Sequence, residues 1–342
     1  MACKISVAAL TGGINVPSAR FRVRQLIHPL AQNEVCMHEF IAPISKYPPE
    51  KKWLRPMWLV SSITARLPSI AACHRYDITL LQRELISTFK TLENLVGRPR
   101  VFDVDDAIFL RRGGRFARRI ARQSDLIVCG NEYLADYFSA WNQNVVVLPT
   151  AVDTRRYIPK NDNSAAQEKL VIGWIGTSTN IKYLKQVEPV LETVLKKHKD
   201  IVFRVICDKR PDFHGVLGEH LDFIPWSSDI ETESIQSLSI GIMPLLDTDW
   251  ERGKCSFKML QYMACGIPVI VSPVGMNRQV LGMGEVGVGA VSHKEWQNAF
   301  EMLISDEVLR KSMGHTGRMI IEKHFNTDVI ARKLARHLMQ LV

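Results

Sequence analysis

The sequence predicts an α/β protein with two doubly wound, Rossmann-like parallel sheets and a C-terminal helix that packs back on the body. Three observations support this prediction: two successive series of short apolar segments, helix-length stretches between those segments, and a length of 342 residues, which suits about two domains. Apolar residues make up 46% and charged residues 23% of the chain, a balance typical of globular proteins rather than disordered or fibrous ones.

The first series opens with a buried strand over residues 5–10 that stops at Thr11-Gly12-Gly13, and helical spacing follows. Four more apolar runs predict strands, at residues 78–82, 101–104, 126–129 and 145–148. The stretches between them are long enough for crossover helices, so we expect a parallel sheet in an N-terminal domain over residues 1–155.

A polar segment over residues 153–169 carries a proline and lacks apolar periodicity, which indicates a linker. Beyond it, strands are predicted at residues 170–175, 201–207, 221–224, 240–245, 268–272 and 286–291, with helices at 182–197 and 257–265. This series predicts a C-terminal domain over residues 156–325. Residues 326–342 form the expected last helix, which can cross to the N-terminal domain.

The net charge of +9 is concentrated in the first half of the chain. Residues 1–160 hold 23 Lys and Arg against 13 Asp and Glu, whereas the remainder holds 21 against 22. A one-sided basic field favours nucleic acid, anionic lipid headgroups or phosphorylated small molecules, and the charge alone does not choose among them.

The most specific motif is the run over residues 253–272, which predicts a helix entered through a Gly/Lys/Ser loop, a Gly266 cap and a buried strand. Unpaired backbone N–H groups and a partial positive charge at such a helix start favour an anion. Lys254, Ser256 and Lys258 add polar groups there, and Gln261, one turn beyond Lys258, can hydrogen-bond a ribose hydroxyl. A solvated helix face is the alternative interpretation of the lysines.

This run resembles the signature helix of glycosyltransferase family 4, whose members are retaining enzymes of the GT-B fold, with two facing Rossmann-like domains that close over the donor. Residues 172–178 resemble the first strand and loop of the family's donor domain, with Lys182 after it. The resemblance implies transfer of a sugar from a nucleotide-diphosphate sugar to an acceptor hydroxyl. It also implies donor contacts from Gly176, Thr177, Ser178 and Lys182 besides the helix.

Two departures from the family pattern affect the donor site. The family often carries two glutamates eight positions apart, where this chain has Gly253 and Gln261, and a basic residue where it has Thr177. Lys182 and Lys258 are then expected to carry the phosphate charge. These departures leave an alternative function open, in which the protein binds a sugar nucleotide without catalysing its transfer.

In the first domain, Gly12 and Gly13 end a parallel strand, where backbone can approach the donor closely. Arg20 and Arg22 follow and can reach the phosphate of an acceptor. Residues 101–106 place acids at another strand end, and Asp105 and Asp106 appear where the family has a His-Asp pair facing the reacting sugar. We expect these two carboxylates to be catalytic; an N-cap role suits Asp106 nearly as well.

Six arginines within residues 111–122, and basic residues interleaved with Trp53 and Trp58 within 46–75, indicate a surface that rests on anionic lipid, or else a solvated helix face. Seven cysteines without a CxxC pair are typical of free thiols in a reducing compartment. We therefore expect a cytoplasmic protein, peripheral on the inner face of the membrane, with a saccharide or lipid-linked saccharide acceptor.

The resemblance implies neither a metal nor another cofactor. A rival interpretation takes Asp103-Val104-Asp105 as the Asp-x-Asp motif of metal-dependent glycosyltransferases, although a second Rossmann-like half argues against that fold. A nucleic-acid-binding protein is the other alternative, but the sequence shows no stacking platform or recognition module, so no nucleic-acid partner is expected.

Overall fold

The structure is a computed structural model that describes residues 3–14, 16–160 and 169–342. The chain forms two compact units. Unit 1 comprises Met1–Ala151, Arg252–Cys255 and Asn326–Val342, and unit 2 comprises Val152–Glu251 and Ser256–Phe325. The chain first passes from unit 1 to unit 2 between Ala151 and Val152, shortly before the expected domain boundary at 155/156. Of the expected linker, residues 161–168 lie outside the described residues.

Unit 1 contains a six-stranded parallel sheet in the order β2-β1-β3-β4-β5-β6. Its strands are β1 Ile5–Thr11, β2 Val35–Ile41, β3 Ile78–Gln82, β4 Arg100–Val104, β5 Leu126–Cys129 and β6 Val145–Val147. Its helices are α1 Pro17–Arg22, α2 Ile27–Ala31, α3 Arg55–Cys73, α4 Arg115–Ala121, α5 Glu132–Ser139 and the last helix, α14 Thr327–Met339. The inner strands β3, β4 and β5 are buried on both faces, as expected for a sheet covered by crossover helices.

The last helix belongs to unit 1. Ile330, Leu334 and Leu338 of α14 are buried in the same apolar core as Val7 of β1 and Leu30 of α2. Their spacing places them on one helix face, so burial of that face fixes α14 on the sheet.

Unit 2 contains a second six-stranded parallel sheet, in the order β12-β11-β10-β7-β8-β9. Its strands are β7 Val171–Ile175, β8 Val202–Cys207, β9 Leu221–Pro225, β10 Ile240–Met243, β11 Val269–Val271 and β12 Gly287–Gly289. The α-helices between α5 and α14 are α6 Ile181–Lys197, α7 Gly215–Glu219, α8 Glu231–Gln236, α9 Asp249–Arg252, α10 Phe257–Ala264, α11 Met276–Leu281, α12 His293–Ser305 and α13 Glu307–Ile320.

Two features of unit 1 differ from the sequence-based expectations. Strand β2 was not predicted, because it lies at the sheet edge and mixes exposed His38 and Cys36 with buried Val35 and Met37. The expectation that every cysteine is a free thiol was wrong, since Cys3 and Cys36 form a disulfide. Parallel pairing of β1 with β2 brings these two residues together, which their spacing in the sequence does not show.

Across the described part of the chain, none of the helices combines the length and the apolar character needed to span a membrane.

Candidate functional site

The strand order of unit 2 reverses between β7 and β10. Strands β8 and β9 continue on one side of β7, whereas the chain returns to the other side for β10 and β11. Ligands of open parallel sheets bind in the crevice outside the carboxyl ends of the strands at such a switch point. The predicted donor residues of unit 2 follow β7 or begin α10, and therefore lie at this edge.

Lys258 of α10 reaches across the loop that follows β7. Its Cε would lie 3.0 Å from a Cβ placed on Gly176, and the Trp174 ring would collide with that Cβ as well. Because Gly176 has no side chain, the Lys258 side chain can pass close to the backbone at this position. The Tyr262 hydroxyl, one turn further along α10, accepts a hydrogen bond of 2.9 Å from the Ile175 amide and ties the helix to the end of β7. The fold thus brings together two segments that are more than 80 positions apart, as Ile175 and Tyr262 show with a separation of 87.

The start of α6 completes this group. Lys182 lies exposed in its first turn, with the ammonium 4.9 Å from the centre of the Tyr183 ring. Beside it, Thr177 is exposed, and its hydroxyl oxygen lies 2.9 Å from that of Thr179.

Ser178 is arranged differently from the prediction. Its amide and hydroxyl donate to the two carboxylate oxygens of Asp208, at 2.6 and 2.8 Å. Asp208 follows β8, the neighbour of β7 in the sheet, and sequence spacing does not reveal this pairing. Although burial alone raises the pKa of Asp208, the bonds from Ser178 outweigh it and lower the pKa overall. The amide and hydroxyl of Ser178, which was expected to contact the donor, are therefore already bonded to an acidic side chain of the protein.

Gln261 likewise departs from its expected ribose contact. Its side chain is buried, and its amide nitrogen donates to the Tyr157 hydroxyl at 2.9 Å and to Glu231 at 3.2 Å. Tyr157 in turn donates to Glu231 at 2.7 Å. Gln261 therefore holds a buried polar cluster together, and a contact with a ribose hydroxyl would require this cluster to break.

The loop before α10 divides between the units. Residues 252–255 belong to unit 1, where Asn131 donates to the carbonyls of Arg252 and Lys254 at 3.2 and 3.0 Å. A Cβ on Gly253 would lie 2.6 Å from the Ala107 Cβ, so packing against Ala107 explains why this position carries no side chain. Ser256 opens α10 in unit 2 with the left-handed φ of 51° and is buried.

In unit 1, both predicted catalytic acids pair with Arg83, the first residue after β3. Arg83 binds Asp105 through Nε and Asp106 through Nη2, the latter at 2.6 Å. Burial by itself raises the pKa of Asp105, but Arg83 more than compensates and holds that pKa below its ordinary value. Arg83 thus holds both carboxylates in position and favours the ionised form of Asp105.

Arg22 does not have the predicted freedom to meet a phosphate. It is buried, with Nη2 2.5 Å from Asp103 and Nη1 donating to the Leu148 carbonyl at 2.7 Å. Arg20 is partly exposed, with its guanidinium 4.7 Å from the Phe21 ring. Asp103 and Asp105 are therefore both paired with arginines, an arrangement that differs from the metal-chelating Asp-x-Asp alternative.

No group of three or more His, Cys, Asp or Glu side chains is placed to hold a metal ion within residues 3–14, 16–160 and 169–342.

The Gly12-Gly13 turn lies at the corresponding switch point of unit 1, where β2 and β3 flank β1. Gly13 has a φ of 148°, and Gly12 is covered by Lys46, whose Cδ would lie 2.6 Å from a Cβ at that position. Both glycines are buried.

A cleft of about 380 Å³ lies beside the switch point of unit 2. Its walls come from the loops after β10 and β11 and from the helices α6, α11 and α12. Polar side chains of Gln186, Asp247, Arg278 and His293 line it together with the Trp296 ring. This cleft extends the carboxyl edge on which Lys258 and Gly176 lie.

Sequence analysis missed Arg83, Lys46, Glu84 and Asp208. Arg83 and Glu84 did leave a signal, because charged residues that directly follow a buried strand lie at the ligand edge of a parallel sheet. Lys46 left none, since it lies in an irregular segment between β2 and α3.

Residues 169–306, within unit 2, match the family model described as Glycosyl transferases group 1. This match confirms the predicted enzyme class, a glycosyltransferase. None of the curated proteins matches the sequence significantly.

Solved structures of low sequence identity share the fold over nearly the whole chain. Sucrose-phosphate synthase from Thermosynechococcus elongatus has a TM-score of 0.74 at 15% identity, covering 99% of both chains. HepE of Anabaena in complex with UDP-glucose has a TM-score of 0.71 at 13% identity, covering 98% of this chain and 100% of its own. WaaG, a glycosyltransferase involved in lipopolysaccharide biosynthesis, has a TM-score of 0.67 at 11% identity, covering 97% and 99%. The GT-B fold class is confirmed.

Proposed function

We propose that this protein transfers a sugar from a nucleotide-diphosphate sugar to an acceptor hydroxyl, with retention of the anomeric configuration and without a metal. The observation that carries the proposal is the passage of Lys258 over Gly176 at the switch point of unit 2. The similar structure of HepE contains UDP-glucose, which supports a sugar nucleotide as the donor.

In the proposed reaction, the lysine side chains at this edge of unit 2 have a direct role. As the glycosidic bond breaks, negative charge grows on the leaving diphosphate. Lys258 and, at the start of α6, Lys182 neutralise that charge, and the first turn of α10 adds backbone N–H groups. The Thr177 hydroxyl donates to a phosphate oxygen, whereas Ser178 positions the loop through Asp208.

Unit 1 binds the acceptor in this proposal. Asp105 and Asp106 accept hydrogen bonds from sugar hydroxyls, and Arg83 holds both carboxylates in position. Since a guanidinium already bonds to them, they act by orienting hydroxyl groups rather than by chelating a cation.

A lipid-linked or cell-surface saccharide at an anionic membrane is the proposed acceptor. Helix α3 leaves an apolar stripe exposed, with Met57 at 65% and Val60 at 62% exposure and Leu67 two turns further along. Helix α4 exposes Arg115 and Arg119. Right-handed crossovers place α3 and α4 on the same face of the sheet, so apolar and cationic groups share one surface. Apolar side chains beside arginines suit an interface with anionic lipid.

Calorimetric titration with UDP and UDP-glucose tests the donor site. We expect Lys258→Ala to weaken the binding of both ligands by about 10- to 100-fold, the range of a charge-assisted hydrogen bond. Lys196→Ala serves as a matched control, because Lys196 lies on the surface of unit 2 in an i,i+4 pair with Glu192. Equal affinity in the wild type and in Lys258→Ala, with the fold intact, would contradict the proposed site.

A further inference from the structure

A buried ion pair fills the switch point of unit 1, where the strand order reverses between β1 and β3. The aliphatic part of Lys46 crosses Gly12, just after β1, and its ammonium lies 3.9 Å from Glu84, just after β3. The Lys46 carbonyl accepts a 3.0 Å hydrogen bond from the Ser87 amide, which holds the segment in place. This crevice is the part of a doubly wound sheet in which ligands bind.

Each of the two charged groups has a buried polar atom without a hydrogen bond, although the other carboxylate oxygen of Glu84 accepts one from the Thr88 amide at 3.4 Å. The side chains of Lys46 and Glu84 are only 1% and 4% exposed. Within the described residues, neither Lys46 Nζ nor Glu84 Oε2 has a hydrogen-bond partner, and 3.9 Å is too long for a direct bond between them. Burial accordingly lowers the pKa of Lys46. Buried charges are costly unless hydrogen bonds satisfy them, so a group that bonds to both atoms would stabilise this pair.

A ligand group that bonds to both atoms must accept a hydrogen bond from Lys46 and donate one to Glu84. An ammonium offers only donors, and an ionised carboxylate offers only acceptors. A carboxylate or a fully ionised phosphate ester would satisfy Lys46 but would have no proton for Glu84, and a protonated ligand amine would satisfy Glu84 but not Lys46. A hydroxyl group does both, because its oxygen accepts from the ammonium while its proton goes to the carboxylate.

We infer that Lys46 and Glu84 together bind a hydroxyl group of an uncharged sugar residue in the acceptor. This inference rests on the proposed function, since it assigns the acceptor to unit 1. The charged neighbours of Lys46 are of both signs, with Glu84 and Asp105 opposed by Arg83 and Arg66, so no one-sided charge favours an ionised sugar. Entry of the hydroxyl requires a local movement of the 42–51 segment, which contains no helix or strand.

Saturation-transfer NMR on the full-length protein tests the pair with free sugars as probes. Glucose, galactose and mannose are the uncharged probes, and glucuronate and glucose 6-phosphate are the charged ones. We expect the wild type to transfer saturation to at least one uncharged hexose and far less to the charged sugars. Lys46→Met and Glu84→Gln should each reduce the hexose signal at least fivefold.

Lys4→Met is the matched control. It removes a lysine paired with a glutamate, Glu34, at the opposite edge of the same sheet, where the pair is exposed. This variant should keep the hexose signal of the wild type. Thermal denaturation checks each fold, and Glu84→Gln, which preserves side-chain volume, decides the test if Lys46→Met fails to fold.

Three results would overturn the inference: no hexose signal in the wild type, a full signal in Glu84→Gln, or stronger binding of a charged sugar. A UDP titration of the same samples separates the two proposals. Absence of UDP binding in the wild type counts against the proposed function alone. If a variant of Lys46 or Glu84 loses the hexose signal but still binds UDP, the substitution has affected the hexose site and not the donor site.

Discussion

Arg83 joins two neighbouring carboxylates that would otherwise repel each other at the end of β4. The side chains of Arg83 and Asp105 are each only 12% exposed, so water contributes little to their solvation. Replacing one member of such a group leaves the others charged and unpaired, which costs more than the loss of an exposed ion pair. At the scale of single residues, the stability of unit 1 therefore depends on this arginine.

We expect Arg83→Met to lower the free energy of unfolding by about 3–5 kcal/mol at pH 7, measured by urea denaturation. The matched control is Arg98→Met, because Arg98 is largely exposed and 3.9 Å from Asp125; its cost should stay below about 1 kcal/mol. Similar costs for the two substitutions would contradict the buried role of Arg83.

The pH dependence follows from the pKa of Asp105, which is lower in the native state than its ordinary value. A depressed native pKa means that the unfolded chain binds more protons in the acidic range. The stability contributed by the Arg83–Asp105 pair is therefore fully present above about pH 5 and declines as the pH falls through the native pKa. The difference in unfolding free energy between the wild type and Asp105→Asn should shrink accordingly between about pH 5 and pH 3.

At the scale of elements, α14 contributes its apolar face to the core of unit 1. Leu334 is buried there, whereas Lys333 beside it on the same helix is exposed. We expect Leu334→Ala to lower the unfolding free energy by about 2–5 kcal/mol and Lys333→Ala by less than about 0.5 kcal/mol. Urea denaturation followed by circular dichroism measures both, and a tolerated Leu334→Ala would show that α14 packs loosely.

The surface shared by α3 and α4 predicts binding to anionic vesicles. Sedimentation with vesicles containing phosphatidylglycerol should pull down the wild type, and vesicles of phosphatidylcholine alone should not. Arg115→Glu with Arg119→Glu, and separately Met57→Ser with Val60→Ser, should each reduce the bound fraction several-fold. Reversing charges on α12, with Lys294→Glu, is the control. Equal binding to both kinds of vesicle would exclude an electrostatic contribution.

For the whole molecule, the distribution of charge predicts transfer that needs no divalent cation. In the proposed mechanism, lysines at the edge of unit 2 supply the positive charge for the diphosphate. Asp103 and Asp105 are already paired with Arg22 and Arg83. Release of UDP from UDP-glucose, with water or sugar as the acceptor, should keep its rate in excess EDTA. A rate that falls in EDTA and returns with Mn²⁺ would revive the Asp-x-Asp alternative.

The sequence by itself determined the class of fold and pointed to several residues of the candidate site. Buried parallel strands leave short apolar runs separated by helix-length stretches, and these depend only on local composition, so eleven of the twelve strands of the described residues could be predicted. Only β2 escaped, because an edge strand with polar positions lacks that signal. Lys258, Asp105 and Asp106 could be chosen as candidate site residues for a related reason. Each lies at the start or just beyond the end of a helix or strand that the sequence predicts.

The tertiary structure alone decided which of those side chains form hydrogen bonds or ion pairs with other residues of the protein. Arg22 meets Asp103 across 81 positions, Gln261 meets Tyr157 across 104, and Ser178 meets Asp208 across 30. Such partners come from strand order and helix packing, which neighbouring residues do not encode. The same holds for Lys46 and Glu84, whose meeting in one crevice results from the placement of β1 beside β3. Which donor bonds to which acceptor depends on the distances between them in the folded chain. The local sequence shows only which donors and acceptors are present.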